Sequence, residues 1–84
     1  MSYTISILRR AQKELGQLPG PAYETVRDAI RALARQPRPA GCRKLTGREG
    51  WRLRVGDYRV IYEIDDGGQR VTVLHIGHRR DIYC

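Results

Sequence analysis

The most regular alternation of apolar and polar residues lies between positions 51 and 62 of the chain. Residues 51–55 (WRLRV) place every second side chain on an apolar face, which is the two-residue period of a half-buried strand. Gly56 and Asp57 follow as a Gly-X pair that suits the two-residue loop of a β-hairpin. Residues 58–62 (YRVIY) are rich in the aromatic and β-branched side chains that favour strands. The pattern predicts two antiparallel strands joined by a tight turn.

This hairpin register separates the side chains into two faces of opposite character. Arg52, Arg54 and Arg59 share one face. Like charges directly opposite one another destabilise a sheet, so three converging arginines indicate a bound polyanion, and phosphate fits best. The alternative is a solvated outer face with scattered ion pairs. The other face carries the apolar and aromatic side chains of Trp51, Leu53, Val55, Tyr58, Val60 and Tyr62.

Two helices and two further strands are predicted from the rest of the pattern. Apolar residues recur with helical spacing on both sides of a break at 19–21 (PGP), which predicts an αα-hairpin. Residues 37–50 are dense in proline and glycine and have no clear period, which is typical of a loop, with Leu45 as its apolar anchor. The remaining predicted elements are a strand at 3–8, helices at 9–18 and 22–36, and a strand at 70–77 after a turn at 65–69.

The resulting β-α-α-β-β-β order predicts a small α+β fold that forms a single domain over residues 1–84. The helical hairpin should pack on the apolar face of a mainly antiparallel sheet. A four-residue loop at 65–68 would pair Tyr62 with Val71, although a one-residue change in that loop would exchange the faces. An apolar patch beside the arginines implies a cover, either the C-terminal tail or a partner protein. In this register the arginine face also carries Ile61, Leu74, Ile76 and His78.

The charge of the chain changes this picture by favouring an anionic partner. Sixteen basic residues against nine acidic ones give the 84-residue chain a net charge of +7. The partner classes that fit are nucleic acid, the ribosome, a membrane surface or an acidic protein. All but Lys13 and Lys44 of the basic residues are arginine, which binds phosphate through two parallel hydrogen bonds. A GC-rich genome is the alternative explanation for the arginine content.

Cysteine usage and hydropathy narrow the class of protein further. Cys42 and Cys84 lie far apart and form no Cys-x-x-Cys or Cys/His cluster, so we expect neither a zinc site nor a disulfide framework. No apolar run approaches the roughly 20 residues that span a bilayer. Polar residues follow the N-terminus closely, so no signal peptide is expected. These features favour a cytoplasmic protein without a cofactor, a metal or a membrane anchor.

Two stretches resemble a known family. The run KLTGREGWRLRVGDYRVIYEID (44–65), followed by VTVLHIGHRRDIY (71–83), is similar to the RelE/ParE superfamily of bacterial toxins from type II toxin–antitoxin systems. The resemblance implies that family's compact fold and a cognate antitoxin as partner in a hetero-oligomer. RelE-like members cleave messenger RNA in the ribosomal A site, whereas ParE-like members poison DNA gyrase. A third hypothesis, independent of the family, is a nucleic-acid-binding module without catalysis.

The resemblance to RelE-like members also implies which residues form the site. This chain has arginine rather than lysine at the two positions before the turn, and its tail after the last strand is shorter. The convergent arginines are the feature that favours RNA cleavage over gyrase inhibition. The positions carried over are Arg52, Arg54, Arg59, Arg79 and Tyr83, with His78 where other members have a basic residue or a histidine, and Lys44 as a further phosphate-binding residue.

A metal-free cleavage by the ribose 2′-OH would divide the chemistry among these residues. Arg59 and Arg79 would stabilise the phosphorane, because a guanidinium stays protonated and matches phosphate oxygens. An arginine pKa above about 12 makes these residues poor bases, so His78 would act as acid or base. Tyr83 would orient the substrate or transfer a proton. The structural alternatives are a surface position for His78 and a core position for Tyr83.

Overall fold

The computed structural model of the protein describes residues 2–78 and 80, and a five-stranded mixed sheet forms its centre. The strand order is β1-β5-β4-β3-β2, in which β1 and β5 are parallel and the other neighbours are antiparallel. The elements are β1 (Thr4–Ile7), α1 (Arg9–Gly16), α2 (Gly20–Ala32), β2 (Cys42–Lys44), β3 (Trp51–Val55), β4 (Tyr58–Asp65) and β5 (Arg70–His78).

The β3–β4 hairpin has the register that the sequence predicts. Its pairs run from Val55 opposite Tyr58 to Trp51 opposite Tyr62. Gly56 adopts φ +60°, a left-handed conformation that glycine reaches without the steric penalty of a Cβ. The geometry of the two-residue loop is therefore sufficient to set the register of the hairpin.

Both helices pack on the predicted face of the sheet. They end earlier than predicted, at Gly16 and Ala32, and α2 is followed by turns in residues 33–35. Pro37 disfavours helical conformation at Gln36, so the helix cannot extend to the predicted end. The buried core between the helical hairpin and the sheet consists of Ala11, Leu15, Val26, Ile30, Leu33, Leu53, Val55, Val60, Tyr62, Val71, Val73 and Ile76.

The predicted loop at 37–50 contains a fifth strand. The strand β2 pairs antiparallel with β3, with Arg43 opposite Arg52 and Lys44 opposite Trp51. Its three residues, CRK, are too few to show a two-residue period, so the sequence pattern does not reveal the strand. Leu45 follows β2 directly and is the apolar anchor that was predicted in this segment.

The predicted register of the last strand is wrong. Asp65 pairs with Arg70, so the loop is 66–69, and Tyr62 lies opposite Val73. A bulge then adds one residue to β5 before the pair of Ile61 with His75. The extra residue reverses the alternation of β5 beyond this point. Ile76 and His78 therefore lie on the helix side of the sheet, and not on the arginine face as predicted.

A smaller apolar cluster lies on the other side of the sheet. It consists of Leu45, Ile61 and the partly buried Leu74. Leu45 and Ile61 are only 8% and 5% exposed. The chain approaches closely here, since a Cβ on Gly50 would lie 3.1 Å from Leu45 Cδ1. The loop after β2 therefore covers part of the apolar patch that the sequence predicts beside the arginines.

Polar contacts fasten the segment between α2 and β2 to the sheet and to the turn before β5. The buried Tyr62 hydroxyl donates to the Pro37 carbonyl at 2.7 Å. Arg38 forms a bidentate ion pair with Asp66, in which Nη2 lies 2.9 Å from Oδ2. The Arg38 guanidinium also lies over the Trp51 ring. The Tyr3 hydroxyl donates to the same carboxylate at 2.6 Å.

Neither helix in the described ranges is long and apolar enough to cross a membrane.

Replacing Tyr62 with phenylalanine should lower the free energy of unfolding by about 1–3 kcal/mol, because the buried Pro37 carbonyl loses its donor. Urea denaturation measures this loss. Tyr58→Phe is the matched control, since its hydroxyl makes no hydrogen bond to another described residue. Equal losses in both variants would contradict a special role for the Tyr62 hydroxyl.

Low pH should weaken the ion pair between Asp66 and Arg38. The hydrogen bond from Arg38, helped by that from Tyr3, lowers the pKa of Asp66 from 3.8 to about 2. A carboxylate whose pKa is lower in the folded state stabilises the fold above its unfolded pKa, and this stabilisation is lost as the pH falls from about 4 to about 2.

We therefore expect Asp66→Asn to be less stable than the parent at pH 7, and the difference should shrink across that pH window. Urea denaturation at a series of pH values measures it. Asp57→Asn, in the exposed hairpin loop, should follow the parent at every pH. A constant difference between Asp66→Asn and the parent would rule out the assigned linkage.

Candidate nucleic-acid interface

Among the described residues, four arginines on three adjacent strands lie on the face of the sheet opposite the helices. Arg54 lies directly opposite Arg59, and Arg52 lies beside Arg43 of β2. The alternation of β2, β3 and β4 turns these side chains away from the helical core. We call this surface, defined by Arg43, Arg52, Arg54 and Arg59, the open sheet face. It contains the three arginines that the sequence predicts together and adds a fourth.

The position of Arg59 depends on its neighbours. Across the β4–β5 ladder it faces Gly77, which has no side chain to occupy the adjacent space. The Arg59 guanidinium is half-buried, and its Nη1 donates to the Tyr58 carbonyl at 3.2 Å. Arg54, its partner on β3, is exposed. Arg59 is therefore held against the sheet, whereas Arg54 extends into solvent.

A cleft of about 500 Å³ opens at the β2 end of this face. Its lining contains Arg43, Lys44 and Arg52, together with Leu45 and Thr46. Lys44, a predicted phosphate-binding residue, thus borders the same space as Arg52. Arg43 was missed by the sequence analysis, because only the pairing of β2 with β3 brings it onto this face.

His78 is separated from the open sheet face. It pairs with Tyr58, and their rings meet edge to face with centroids 5.6 Å apart. Its Nδ1 accepts a hydrogen bond from the Arg80 N–H at 3.2 Å. The bulge in β5 puts the His78 ring on the Tyr58 side of the sheet, so the structure does not bring it together with Arg59. Arg79 and Tyr83 lie outside the described residues.

The other histidine belongs to a polar cluster at the edge of β5, beyond the end of β1. The Glu14 carboxylate accepts hydrogen bonds from the Ile76 N–H at 2.9 Å and the Arg10 Nε at 3.2 Å, and its Oε1 lies 2.8 Å from His75 Nδ1. Burial raises the pKa of Glu14, but these donors outweigh it and hold the pKa below its usual value. Glu14 thus ties α1 to the strand that carries Gly77.

The described part of the open sheet face can bind and neutralise phosphate groups. Guanidinium groups donate two parallel hydrogen bonds to phosphate oxygens and stay charged in partly buried positions. The partly exposed side chain of Leu74 lies beside them and offers an apolar surface for a sugar or base. Within residues 2–78 and 80, no group of three or more His, Cys, Asp or Glu side chains is placed to hold a metal ion.

Comparison with known proteins identifies the relatives of the chain. The sequence model of the family described as ParE toxin of type II toxin-antitoxin system, parDE, matches residues 5–83. The chain is 36% identical over 87 residues to Toxin RelG of Mycobacterium tuberculosis, covering 99% of this chain and 98% of that protein. It is also 36% identical over 83 residues to Toxin RelE of the same organism, covering 96% and 86%.

Solved structures confirm the predicted fold class. The chain is similar to the toxin in the RelBE2 toxin–antitoxin complex of Mycobacterium tuberculosis, with a TM-score of 0.83, 28% identity, and coverage of 94% of this chain and 100% of that one. The archaeal RelE–RelB complex of Pyrococcus horikoshii gives a TM-score of 0.84 and 29% identity, with coverage of 94% and 97%. Two helices on a mixed five-stranded sheet are thus the RelE-like fold, and the resemblance carried by residues 44–65 and 71–83 is confirmed.

The pairing of Arg43 with Arg52 should cost stability when no anion is bound. Arg43→Gln removes one of two like charges and should raise the free energy of unfolding by about 0.2–1 kcal/mol at low salt. The gain should fade at high salt, because counterions screen the repulsion. Urea denaturation at two salt concentrations tests this. Arg48→Gln, on an exposed turn outside the strands, should give no such gain, and equal gains from both variants would contradict the repulsion.

Proposed function

The chain belongs to the ParE toxin family of type II toxin–antitoxin systems, and we propose that it is a RelE-like toxin that cleaves messenger RNA in the ribosomal A site. The observation that carries this proposal is the placement of Arg54 opposite Arg59 on the open sheet face, with the glycine of β5 beside Arg59. Two guanidinium groups that face one another in this way are suited to holding a phosphate between them.

The proposed reaction uses the RNA's own 2′-hydroxyl as nucleophile. The 2′-oxygen loses its proton and attacks the adjacent phosphorus, and the bond from phosphorus to the 5′-oxygen breaks. The departing 5′-oxygen takes up a proton, so the products are a 2′,3′-cyclic phosphate and a 5′-hydroxyl. Negative charge grows on the non-bridging oxygens in the transition state, and Arg59 would stabilise it as a preorganised donor. Arg52 and Arg54 would position the neighbouring backbone, with Lys44 at the edge of the cleft.

Arg79, His78 and Tyr83 keep the roles that the family resemblance implies. Arg79 would share charge stabilisation with Arg59, and Tyr83 would orient the nucleophile or transfer a proton. The role of His78 as acid or base requires the end of β5 to rotate when RNA binds, because its ring packs on the Tyr58 side of the sheet. Guanidinium groups cannot replace His78 and Tyr83 in proton transfer, since the pKa of a guanidinium exceeds about 12.

An antitoxin and the ribosome are the proposed partners. The similar structures from Mycobacterium tuberculosis and Pyrococcus horikoshii are complexes of a toxin with its antitoxin. We propose that this chain likewise forms a hetero-oligomer with a cognate antitoxin in the cytoplasm. Its net charge of +7 suits both ribosomal RNA and an acidic antitoxin segment.

Inhibition of DNA gyrase without chemistry is the second candidate function. The family whose sequence model matches this chain is described as the ParE toxin of a type II toxin–antitoxin system, parDE. This description favours gyrase inhibition. Gyrase inhibition requires a binding surface and no transition-state stabilisation. Loss of a single phosphate-stabilising arginine should therefore slow RNA cleavage but leave gyrase inhibition intact, and this difference separates the two functions.

The decisive measurement is 5′-end mapping of a defined message in a purified translation system, with and without ribosomes. We expect cuts inside A-site codons only when ribosomes are present. Arg59→Ala should slow cleavage on the order of 100-fold, the cost of losing one oxyanion donor. Arg48→Ala removes an exposed arginine outside the open sheet face and should leave the rate unchanged.

Other outcomes would redirect the assignment. Cuts without ribosomes would make the protein a free ribonuclease. No cuts in either reaction, with loss of supercoiling activity in a gyrase assay, would support the second candidate. Full cleavage by an Arg59→Ala variant whose circular dichroism matches the parent would overturn the role of Arg59.

A further inference from the structure

The cleft at the β2 end of the open sheet face contains Arg43, an arginine to which the reaction proposed above gives no role. Arg43 forms one wall, directly opposite Arg52 on β3, and Lys44 and Thr46 complete a polar lining. Arg43 has no acidic side chain within 4 Å among the described residues, so its charge is not balanced within this part of the chain. A cleft of about 500 Å³ whose lining includes the paired side chains of Arg43 and Arg52 is large enough for a phosphate and its sugar.

The two arginine pairs of the open sheet face have a regular spacing. Arg52 and Arg54 are two residues apart on one strand, which separates the pairs by about 6.7 Å along the sheet. This separation is comparable to that of neighbouring phosphates in a single RNA strand. Arg43 lies two strands from Arg59, so their Cα atoms are roughly 12 Å apart, and an RNA whose scissile phosphate lies at Arg59 would bring a phosphate one or two repeats along towards Arg52 and Arg43.

We infer that Arg43 and Arg52 form a second phosphate subsite, which binds the RNA backbone beside the scissile phosphate. This inference rests on the proposed function for the identity of the nucleic acid. Arg43 is a binding residue here and does not touch the reacting atoms. Thr46 can donate a further hydrogen bond from its hydroxyl, and Leu45 supplies an apolar wall against which a ribose can pack.

RNA fits this cleft better than an acidic protein segment does. Arg52 of the cleft is two residues from Arg54 on the same strand, so one chain with a charge at every repeat can occupy both positions. Single-stranded nucleic acid also gains from apolar surface beside a basic groove, which the partly exposed Leu74 provides.

The test uses the purified protein and a hexanucleotide with 2′-O-methyl riboses, which binds without being cleaved. One phosphate at a time is replaced by an uncharged methylphosphonate, and affinity is measured by fluorescence anisotropy at low salt. For the parent, neutralising the phosphate in the Arg43 subsite should weaken binding on the order of tenfold, the contribution of one charge-assisted contact. For Arg43→Gln, the same replacement should have almost no effect.

Two further measurements accompany the scan. The slope of log affinity against log salt should fall by about 0.7 in Arg43→Gln, as expected for one lost contact to a single strand. Arg43→Lys should recover most of this slope, whereas Arg48→Gln should behave as the parent. The stability of Arg43→Gln is a check on folding, since removing the like charge should not destabilise the protein.

The outcomes separate this inference from the proposed reaction, because binding of the uncleavable RNA needs no catalysis. The subsite is supported if neutralising one phosphate weakens binding to the parent but not to Arg43→Gln, even if no cleavage occurs on ribosomes. Equal phosphate effects in the parent and Arg43→Gln would overturn it, even if cleavage is found. Unchanged RNA binding with weakened antitoxin binding in Arg43→Gln would also overturn it, and would assign the cleft to a protein partner.

Discussion

The two-residue turn at Gly56-Asp57 is the constraint on which the rest of the structure depends. It fixes the pairing of β3 with β4 and thereby places Leu53, Val60 and Tyr62 on one side of the sheet. Burial of these side chains under the helical hairpin supplies the main driving force for folding. The same register forces the arginines of both strands to the opposite side. Core and candidate site are thus two consequences of one local geometry.

The open sheet face carries like charges in the places where a sheet tolerates them least. Arg43 faces Arg52, and Arg54 faces Arg59, although opposed like charges destabilise a pair of strands. A surface that served only the fold would gain from an acidic residue in either pair. The repulsion is small compared with the burial of the core, so the fold can sustain it. A bound polyanion would relieve it, and this links the energetic cost to binding.

The structure also shows how the edges of the sheet are secured. Glu14 of α1 accepts the Ile76 N–H where β5 extends beyond β1. At the other side, Arg38 and Asp66 connect the segment before β2 with the turn before β5. Both contacts hold elements that carry the candidate site without occupying it. The positions of Arg43 and Gly77 therefore depend on polar ties outside the open sheet face.

The sequence by itself determined the β3–β4 register, the two helices and the convergence of Arg52, Arg54 and Arg59, because these follow from local periodicity and a tight turn. Only the tertiary structure decided the position of Arg43, since β2 has three residues and becomes a strand by pairing with β3. The same holds for His78. A bulge is a mismatch between two strands that no single-strand pattern contains, and the one in β5 moves His78 to the other side of the sheet.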